Sequence, residues 1–502
     1  MRTGWVLAVL IVCALFLRIY GIERESLSGD EVWTYNATFA PTTFARVLAN
    51  HREQGDTSPP LYYFLLNAYS RIVPHTNGYY RAFAAIPNIL TIPVLYLFVR
   101  LFTTPQTGLL AAFLWTINPL QIFYSRFGRP YTLFVLLSLL SLLFYFHAQK
   151  KPRWWLAYFA AGTTAVFVHY YGLFLHLGVL TATLWSHTEL RFTHKFLTLN
   201  RNEIRISIPL MRFSLSFGLP TALLASTIGT ISLLMSWLAT LPRLQSAGLA
   251  YFTADPQYLG FHKFLTLPIT FTAGHYLTSA NVAQHLFLLA GIIVLVYPLI
   301  LYSLKTSMST NTPPRWLITY TLVVLTASYI VMNTLGRWKT HYLLFLSPLF
   351  FLWLSHGIIK NKALGSICLA GILLLSVPPV VSLYTTYYYP PWHEAAAIIT
   401  EQSRPTDALI TTNQPQEVLH HITTPLKHYQ TEELFTIDGR TLADVLQEHD
   451  RAWLVFFRNN DNQHWKWKKQ LEQLNATVLY ETNFNNATSY YNTGLELYLV
   501  SA

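Results

Sequence analysis

Long apolar stretches separated by short polar loops fill residues 1–384 of the chain. Eleven of these stretches approach the roughly 17 to 25 residues that a helix needs to cross a bilayer. They lie at about 4–20, 81–102, 108–124, 131–148, 154–171, 172–187, 213–236, 285–303, 316–335, 341–359 and 363–383. The pattern therefore predicts a polytopic α-helical membrane protein with about 11 transmembrane helices.

Two segments near the N-terminus need a separate interpretation. Arg2 precedes the first apolar run as in a signal peptide, but no small-x-small cleavage site follows it, so we predict a retained anchor. Residues 59–73 are apolar but short, and they include Asn67 and Arg71. Because the segment is short and contains these polar residues, we predict that it lies as a helix at the outer membrane surface. If it crossed the membrane instead, every later loop would move to the other side.

Composition indicates a membrane protein, and the distribution of charge predicts its orientation in the membrane. Hydrophobic residues make up 52% of the chain and charged residues only 11%. Lys and Arg are more frequent in the loops that would face the cytoplasm, which predicts a cytoplasmic N-terminus and an extracytoplasmic C-terminus in the plasma membrane. The net charge of +11 divides into +17 for residues 1–384 and −6 beyond them. This basic excess suits anionic lipid and phosphate, and nucleic acid is not an expected partner.

Residues 385–502 have a different pattern, in which short helical and strand periodicities alternate. We predict helices at 393–402 and 465–474 and strands at 408–412, 452–457 and 495–500, giving a small soluble α/β domain. Cys13 and Cys368 both lie in predicted spans, so no disulfide framework is expected in the C-terminal region. The predicted domains are a transmembrane domain at 1–384, whose first external loop is 21–80, and an extracytoplasmic domain at 385–502.

Polar residues collect in the loops that this topology places outside. Carboxylates beside a bilayer are costly to desolvate, and cations and aromatic rings accompany them here. Such a set suits removal of a proton from an acceptor hydroxyl while cations hold a phosphate leaving group. The candidates are Asp30 and Glu31; His51 and Asp56; Arg81; Arg126, Arg129 and Tyr131; His169 and Tyr170; and Arg337, Lys339 and Tyr342.

Each candidate also has a structural interpretation. Asp30 and Glu31 are suited to capping a helix, and Asp56 to a turn before Pro-Pro. An arginine at the end of a span, such as Arg129, commonly anchors to lipid headgroups. Lone histidines such as His51 and His169 are more often structural than catalytic.

Several motifs, taken in order, resemble one class of enzymes. GDEVWTYNA follows the first span, and DTSPPLYY, RAFAAIPN, NPLQIFYSRFGRPYTL, HYYGLF and KTHYLLFLSPLF come later. Together they resemble the integral-membrane glycosyltransferases of the GT-C class, nearest to the protein O-mannosyltransferase and aminoarabinose transferase-like group. That resemblance implies transfer of a sugar from a polyprenyl-phosphate-linked donor to an acceptor on the outer face of the membrane.

The resemblance also implies roles for individual residues. Asp30 matches the catalytic acid of the first loop, a general base with Glu31 as its neighbour, and Asp56 matches the second acidic position. Arg129 and Tyr131 match an Arg-x-Tyr pair expected to contact the donor phosphate or sugar. In the late loop, relatives usually have Arg-Tyr-Leu-Leu where this chain has a histidine before Tyr342.

That departure moves the expected late-loop cation to Lys339 or Arg337. Arg126 and Arg81 are further candidates for the donor phosphate. His51, His169, Tyr170 and Tyr342 are expected on the acceptor side or in support.

The expected reaction is a single displacement that inverts the anomeric centre. A divalent metal ion bridging the acidic pair and the phosphate stays open, because no His/Asp spacing requires it. A lipid-linked sugar transporter or flippase is an alternative, but it would place charges at mid-span and often show repeats, and neither is visible. A membrane scaffold explains the tail but not the charged loops, while an oligosaccharide ligase of the same fold is the closest competitor. The acceptor is a lipid, a glycan or a protein.

Overall fold

The protein is largely helical, as the sequence predicts. The structure, a computed structural model, describes residues 2–39, 43–53, 58–186, 188–191, 197–200, 203–210, 213–239, 266–274, 282–308, 313–334, 340–385, 389, 391–411, 419–420, 422, 426–458, 464–485 and 494–501. The helices before residue 240 are α1 (Arg2–Ile19), α2 (Gly29–Thr38), α3 (Phe44–Glu53), α4 (Leu61–Ser70), α5 (Asn77–Arg100), α6 (Pro105–Ile117), α7 (Pro119–Ser125), α8 (Tyr131–Ala148), α9 (Trp154–Val168), α10 (Gly172–Ser186) and α11 (Thr221–Leu238). The later ones are α12 (Leu267–Ala273), α13 (Val282–Met308), α14 (Pro313–Thr334), a 3-10 helix (Thr340–Leu346), α15 (Ser347–Lys360) and α16 (Lys362–Thr385).

Six helical segments of the described chain are both long and apolar enough to cross a membrane: α5, α8, α11, most of α14, the 3-10 helix with α15, and α16. Shorter apolar helices are α1, α9, α10 and a stretch of α13. Helix α4 has only ten residues, about half the length of a span, so the segment at 59–73 is too short to cross, as predicted. The chain is a multi-pass membrane protein, and the predicted fold class is confirmed.

The span predicted at 108–124 is not one helix. Asn118 has an extended backbone and ends α6, and Pro119 is the first residue of α7. The residue before a proline is disfavoured in the helical region, so the Asn-Pro pair was the sequence signal for this break. The Asn118 side chain caps α7 through the Gln121 amide and donates to the carbonyls of Phe271 and Thr272.

The break exposes carbonyl groups at the end of α6, and a buried arginine satisfies them. Arg18, at the end of α1, is fully buried. Its guanidinium donates to the Thr116 carbonyl at 3.0 Å, to the Trp115 carbonyl at 3.3 Å and to Asn88 Oδ1 at 2.7 Å. A cation at a helix C-terminus is favourable, because the unpaired carbonyls there carry negative partial charge. Arg18 thereby joins α1, α5 and α6.

Replacing Arg18 by leucine should destabilise the bundle, because Asn88 Oδ1 and the Thr116 carbonyl would lose the Arg18 donor while staying buried. We expect the free energy of unfolding to fall by about 2–5 kcal/mol. Thermal unfolding of the purified protein in nanodiscs measures this, with the exposed Arg100 replaced by leucine as the matched control. Equal melting temperatures for the two variants would contradict this assignment.

A four-stranded antiparallel sheet lies between α10 and α11, where no strands were predicted. Its strands are β1 (Thr188–Arg191), β2 (Leu197–Asn200), β3 (Glu203–Leu210) and β4 (Phe213–Pro220), in the order β1-β4-β3-β2. The prediction that a span begins at 213 was therefore wrong, since α11 starts only at Thr221. Strict alternation of apolar and polar residues through β3 and β4 was the missed signal, and the register pairs Ile206 with Phe217.

The C-terminal region contains a six-stranded mixed sheet. Its strands are β5 (Ala408–Thr411), β6 (Lys427–Glu433), β7 (Thr436–Ile437), β8 (Arg451–Arg458), β9 (Thr477–Asn485) and β10 (Gly494–Ser501), ordered β7-β6-β5-β8-β10-β9. Helices α17 (Trp392–Gln402), α18 (Leu442–Glu448) and α19 (His464–Gln473) accompany it. The predicted elements match β5, β8, β10, α17 and α19 to within one residue at each end. The sequence missed β6, β7, β9 and α18.

Candidate active site

The segment between α1 and α5 is held by the start of helix α2. The Ser28 hydroxyl accepts a hydrogen bond from the Glu31 amide at 3.4 Å, and Glu31 Oε2 accepts from the Ser28 amide at 3.0 Å. This reciprocal capping box fixes where α2 begins. Asp30 lies in the first turn of the same helix, so its position follows from the cap.

The Glu31 carboxylate makes a buried ion pair with Arg81 on α5. Both side chains are almost fully buried, and Arg81 Nε and Nη2 each donate to one carboxylate oxygen at 2.9 Å. The Gly128 amide donates to Glu31 Oε1 at 2.8 Å. The remaining Arg81 donors reach the carbonyls of Ile22, Glu25 and Ser26.

All five N–H groups of Arg81 are thus used by protein oxygens. This geometry does not support the predicted contact between Arg81 and a donor phosphate. A buried charge pair is tolerated when hydrogen bonds satisfy both partners, as they do here. Glu31 likewise binds three chain segments and has no carboxylate oxygen without a donor.

Tyr80, at the start of α5, and Gly128, between α7 and α8, complete the contact between the segment before α5 and the loop after α7. The Tyr80 hydroxyl lies 2.7 Å from the Gly128 carbonyl oxygen and 3.2 Å from that of Glu31. A Cβ atom on Gly128 would lie 2.1 Å from the Tyr80 ring, so only glycine fits between the two arginines of the Arg-Phe-Gly-Arg segment. Sequence reasoning named neither residue as part of the site.

Asp30 and Arg129 come from different loops and meet at the start of α2. Arg129 Nη1 donates to the Asp30 carbonyl at 3.3 Å and to the Thr34 hydroxyl at 2.6 Å. The Asp30 residue is exposed, and its carboxylate makes no hydrogen bond or ion pair with the residues that the structure describes. Arg129 therefore binds the main chain of the residue that carries this exposed carboxylate.

An aromatic cluster joins the loop of Arg129 to two later loops. The Tyr131 ring lies 4.6 Å from His341 and 6.0 Å from His169, centroid to centroid. Tyr342 lies 5.0 Å from His169 and 5.2 Å from Tyr171. Tyr131, His169 and Tyr342, predicted from loops far apart in sequence, therefore share one cluster. His341, where the resemblance led us to expect arginine, belongs to it as well.

Tyr62 in the Pro-Pro-Leu-Tyr-Tyr motif is a third residue that sequence reasoning did not identify. It is buried, and its hydroxyl has no hydrogen-bond partner in the described part of the chain. Burial raises the pKa of the Tyr62 phenol, against a smaller opposing effect of the Arg129 charge, so the phenol stays protonated at neutral pH. A buried donor without a partner is costly, which marks Tyr62 as a candidate ligand-binding group.

The other predicted residues lie elsewhere or outside the described residues. Arg126 donates to the Gly21 carbonyl and lies over the Tyr384 ring at 4.9 Å, so it ties the ends of α1 and α16 together beside a small pocket. Tyr170 accepts a hydrogen bond from Trp237 on α11 at 3.3 Å. Asp56, Arg337, Lys339 and the side chain of His51 lie outside the described residues. No group of three or more metal-binding side chains occurs among the residues that the structure describes.

The sequence matches one protein family over part of its length. Residues 57–201 match the dolichyl-phosphate-mannose-protein mannosyltransferase family. The matched range contains Arg129, Tyr131 and His169 but begins after Asp30 and ends before the late loop. No curated protein matches the sequence.

Two solved proteins share the fold. ArnT from Cupriavidus metallidurans bound to undecaprenyl phosphate is 12% identical with a TM-score of 0.55, over 100% of this chain and 98% of that one. The oligosaccharyltransferase of Archaeoglobus fulgidus in the apo form is 11% identical with a TM-score of 0.51, over 91% of this chain and 69% of that one. The predicted resemblance to the GT-C class of membrane glycosyltransferases is confirmed by the family match and the shared fold.

Proposed function

We propose that the protein transfers a sugar from a polyprenyl-phosphate-linked donor to an acceptor hydroxyl at the extracytoplasmic face of the membrane. The observation that carries this proposal is the meeting of Asp30 and Arg129. The Arg129 guanidinium binds the main chain of the residue that carries the exposed carboxylate, although about a hundred residues separate the two in sequence. A glycosyl transfer from a lipid phosphate needs these two charges in one place.

In the proposed reaction, Asp30 accepts the proton of the acceptor hydroxyl as its oxygen attacks the anomeric carbon. The bond between that carbon and the phosphate oxygen breaks, and its electron pair leaves with the phosphate. The products are the glycosylated acceptor and free polyprenyl phosphate. One displacement inverts the anomeric configuration, and positioned proton transfer contributes about 10²- to 10⁴-fold to the rate.

Arg129 is proposed to stabilise the charge that develops on the leaving phosphate. Guanidinium groups bind phosphate through several donors at once, and fixed cations cost no reorganisation during the reaction. Thr34 and the Asp30 carbonyl already orient Arg129 Nη1. Tyr62 is proposed as a neutral donor to the sugar or phosphate, and Lys339 or Arg337 as the late-loop cation.

The remaining predicted residues keep supporting roles in the proposal. Glu31 and Arg81 position the loop rather than react, because their polar atoms are already used. Tyr131, His169 and Tyr342 form an aromatic wall suited to a sugar or a prenyl chain. Asp56 stays proposed as the second catalytic acid, His51 and Tyr170 stay proposed on the acceptor side or in support, and a divalent metal ion stays open.

Different observations support the proposed donor class and the proposed orientation of the chain in the membrane. The ArnT structure whose fold this chain shares was solved with undecaprenyl phosphate bound, which supports a polyprenyl-phosphate donor. The excess of Lys and Arg in alternate loops supports a cytoplasmic N-terminus and an external C-terminus. The shared fold with an oligosaccharyltransferase favours one second candidate, transfer of a preassembled oligosaccharide.

The test uses the full chain in proteoliposomes with membrane extract as acceptor. Radiolabelled polyprenyl-phosphate monosaccharides should lose their label to the acceptor fraction, with equal release of polyprenyl phosphate, whereas a nucleotide sugar should give no transfer. Transfer only from a lipid-linked oligosaccharide would establish the second candidate. Movement of the labelled lipid between leaflets without any transfer would identify a flippase and reject the proposal.

A further inference from the structure

The C-terminal domain contacts the first external loop at a buried serine. The Ser26 hydroxyl lies 2.7 Å from His393 Nδ1 and accepts a hydrogen bond from the His393 amide at 3.1 Å. Partial burial lowers the pKa of His393, partly opposed by the nearby Glu394, so the imidazole is neutral at pH 7. Because the Ser26 oxygen already accepts from the amide, we assign the hydroxyl proton to a hydrogen bond with Nδ1, which requires the Nε2–H tautomer. Ser26 itself is only 1% exposed.

His393 is rigidly part of the C-terminal domain. It lies in the first turn of α17, next to Trp392, which is buried in one core of the domain together with Ile399, Trp453 and Leu497. A displacement of the domain would therefore move His393 with it. Two further contacts join the same parts of the chain: Arg24 Nη2 donates to the Thr385 carbonyl at 3.0 Å, and the Tyr35 ring lies 4.7 Å from His420.

The Ser26 main chain also contacts the ion pair between Arg81 and Glu31. Its carbonyl accepts from Arg81 Nη2 at 2.8 Å, and Arg81 binds both oxygens of Glu31. Glu31 in turn caps the helix whose first turn carries Asp30. Four consecutive contacts thus lead from the C-terminal domain to the helix that presents the proposed base.

We propose that the C-terminal domain holds the first external loop in its reactive position, with His393 as a positioning residue that acts through Ser26 and Arg81. The expected effect on kcat rests on the proposed function, whereas the expected effect on the order of α2 does not. The contact gives the domain a role in catalysis without any of its residues touching substrate. The turnover number should depend on the contact, whereas donor binding should depend on it little.

The experiment measures two properties of the full-length protein in nanodiscs: amide hydrogen exchange of residues 29–38, and kcat and KM for transfer. Ser26→Ala removes both hydrogen bonds and His393→Ala removes one. Loss of a net hydrogen bond should speed exchange in α2 about five-fold and lower kcat by a similar factor, with KM nearly unchanged. His393→Asn offers a side-chain acceptor in place of Nδ1 and should restore most of both values.

His428→Ala is the matched control, because His428 bonds Thr411 at 2.8 Å within the C-terminal domain alone. It should leave exchange in α2 unchanged. Unchanged exchange in both Ser26→Ala and His393→Ala would overturn the proposal, as would an equal effect of His428→Ala. If the wild-type protein transfers no sugar but the exchange of α2 still responds to Ser26 and His393, the proposed function fails and the contact between domains stands.

Discussion

Replacing Asp30 by asparagine should lower kcat for sugar transfer by about 10²- to 10⁴-fold, the contribution expected of one positioned general base. Asparagine has nearly the same shape but cannot take a proton from an acceptor hydroxyl. The Asp30 carboxylate is exposed and caps nothing, so the fold does not depend on it. Loss of a negative charge from the first turn of α2 should cost at most about 1 kcal/mol of stability. Activity and stability should therefore separate clearly.

Initial rates of label transfer and thermal unfolding of the same preparations measure this separation. Asp450→Asn, at an exposed position of the C-terminal domain, is the matched control and should be indistinguishable from wild type. Asp30→Glu keeps the base but moves it by one methylene group, so partial activity is expected. Undiminished transfer by Asp30→Asn would remove Asp30 from the mechanism while leaving the membrane fold intact.

The architecture could be predicted from sequence because it depends on local patterns. Apolar length identified most of the helices, and five elements of the C-terminal domain followed from periodicity alone. The errors are local as well: Asn118-Pro119 interrupts an apolar run, and an alternating stretch that ends at Pro220 was hydrophobic enough to be included in a span. In both places a second signal was present but was outweighed by hydrophobicity.

The candidate site was predictable only in part, because the side chains that contact each residue are set by the three-dimensional structure. The sequence offered several arginines of equal chemistry, Arg81, Arg126 and Arg129 among them. Only the structure shows that Arg81 is enclosed by carbonyls and Glu31, and that Arg129 reaches the turn that carries Asp30. Nothing in its motif distinguishes Tyr62 from the neighbouring tyrosine, since burial of its hydroxyl depends on how α4 packs.

Breaking the Glu31–Arg81 pair should cost more stability than any other single change at the site. Both side chains are almost completely buried, so Glu31→Gln or Arg81→Met leaves one charge without its counterion in a water-poor environment. Removal of one partner from such a pair typically costs about 3–5 kcal/mol. We expect each single variant to melt far below wild type in nanodiscs, whereas Glu401→Gln, at an exposed position of α17, should not differ from it.

The double variant Glu31→Gln/Arg81→Met separates the pair from the individual side chains. If the two charges stabilise each other, the double variant should be more stable than the sum of the single losses implies, by at least about 1 kcal/mol. Additive losses would mean that each residue acts through its backbone partners alone. Transfer activity should stay low even in the double variant, because Ser28, Gly128 and the segment from Ile22 to Ser26 would still lose the carboxylate and guanidinium that hold them around Asp30.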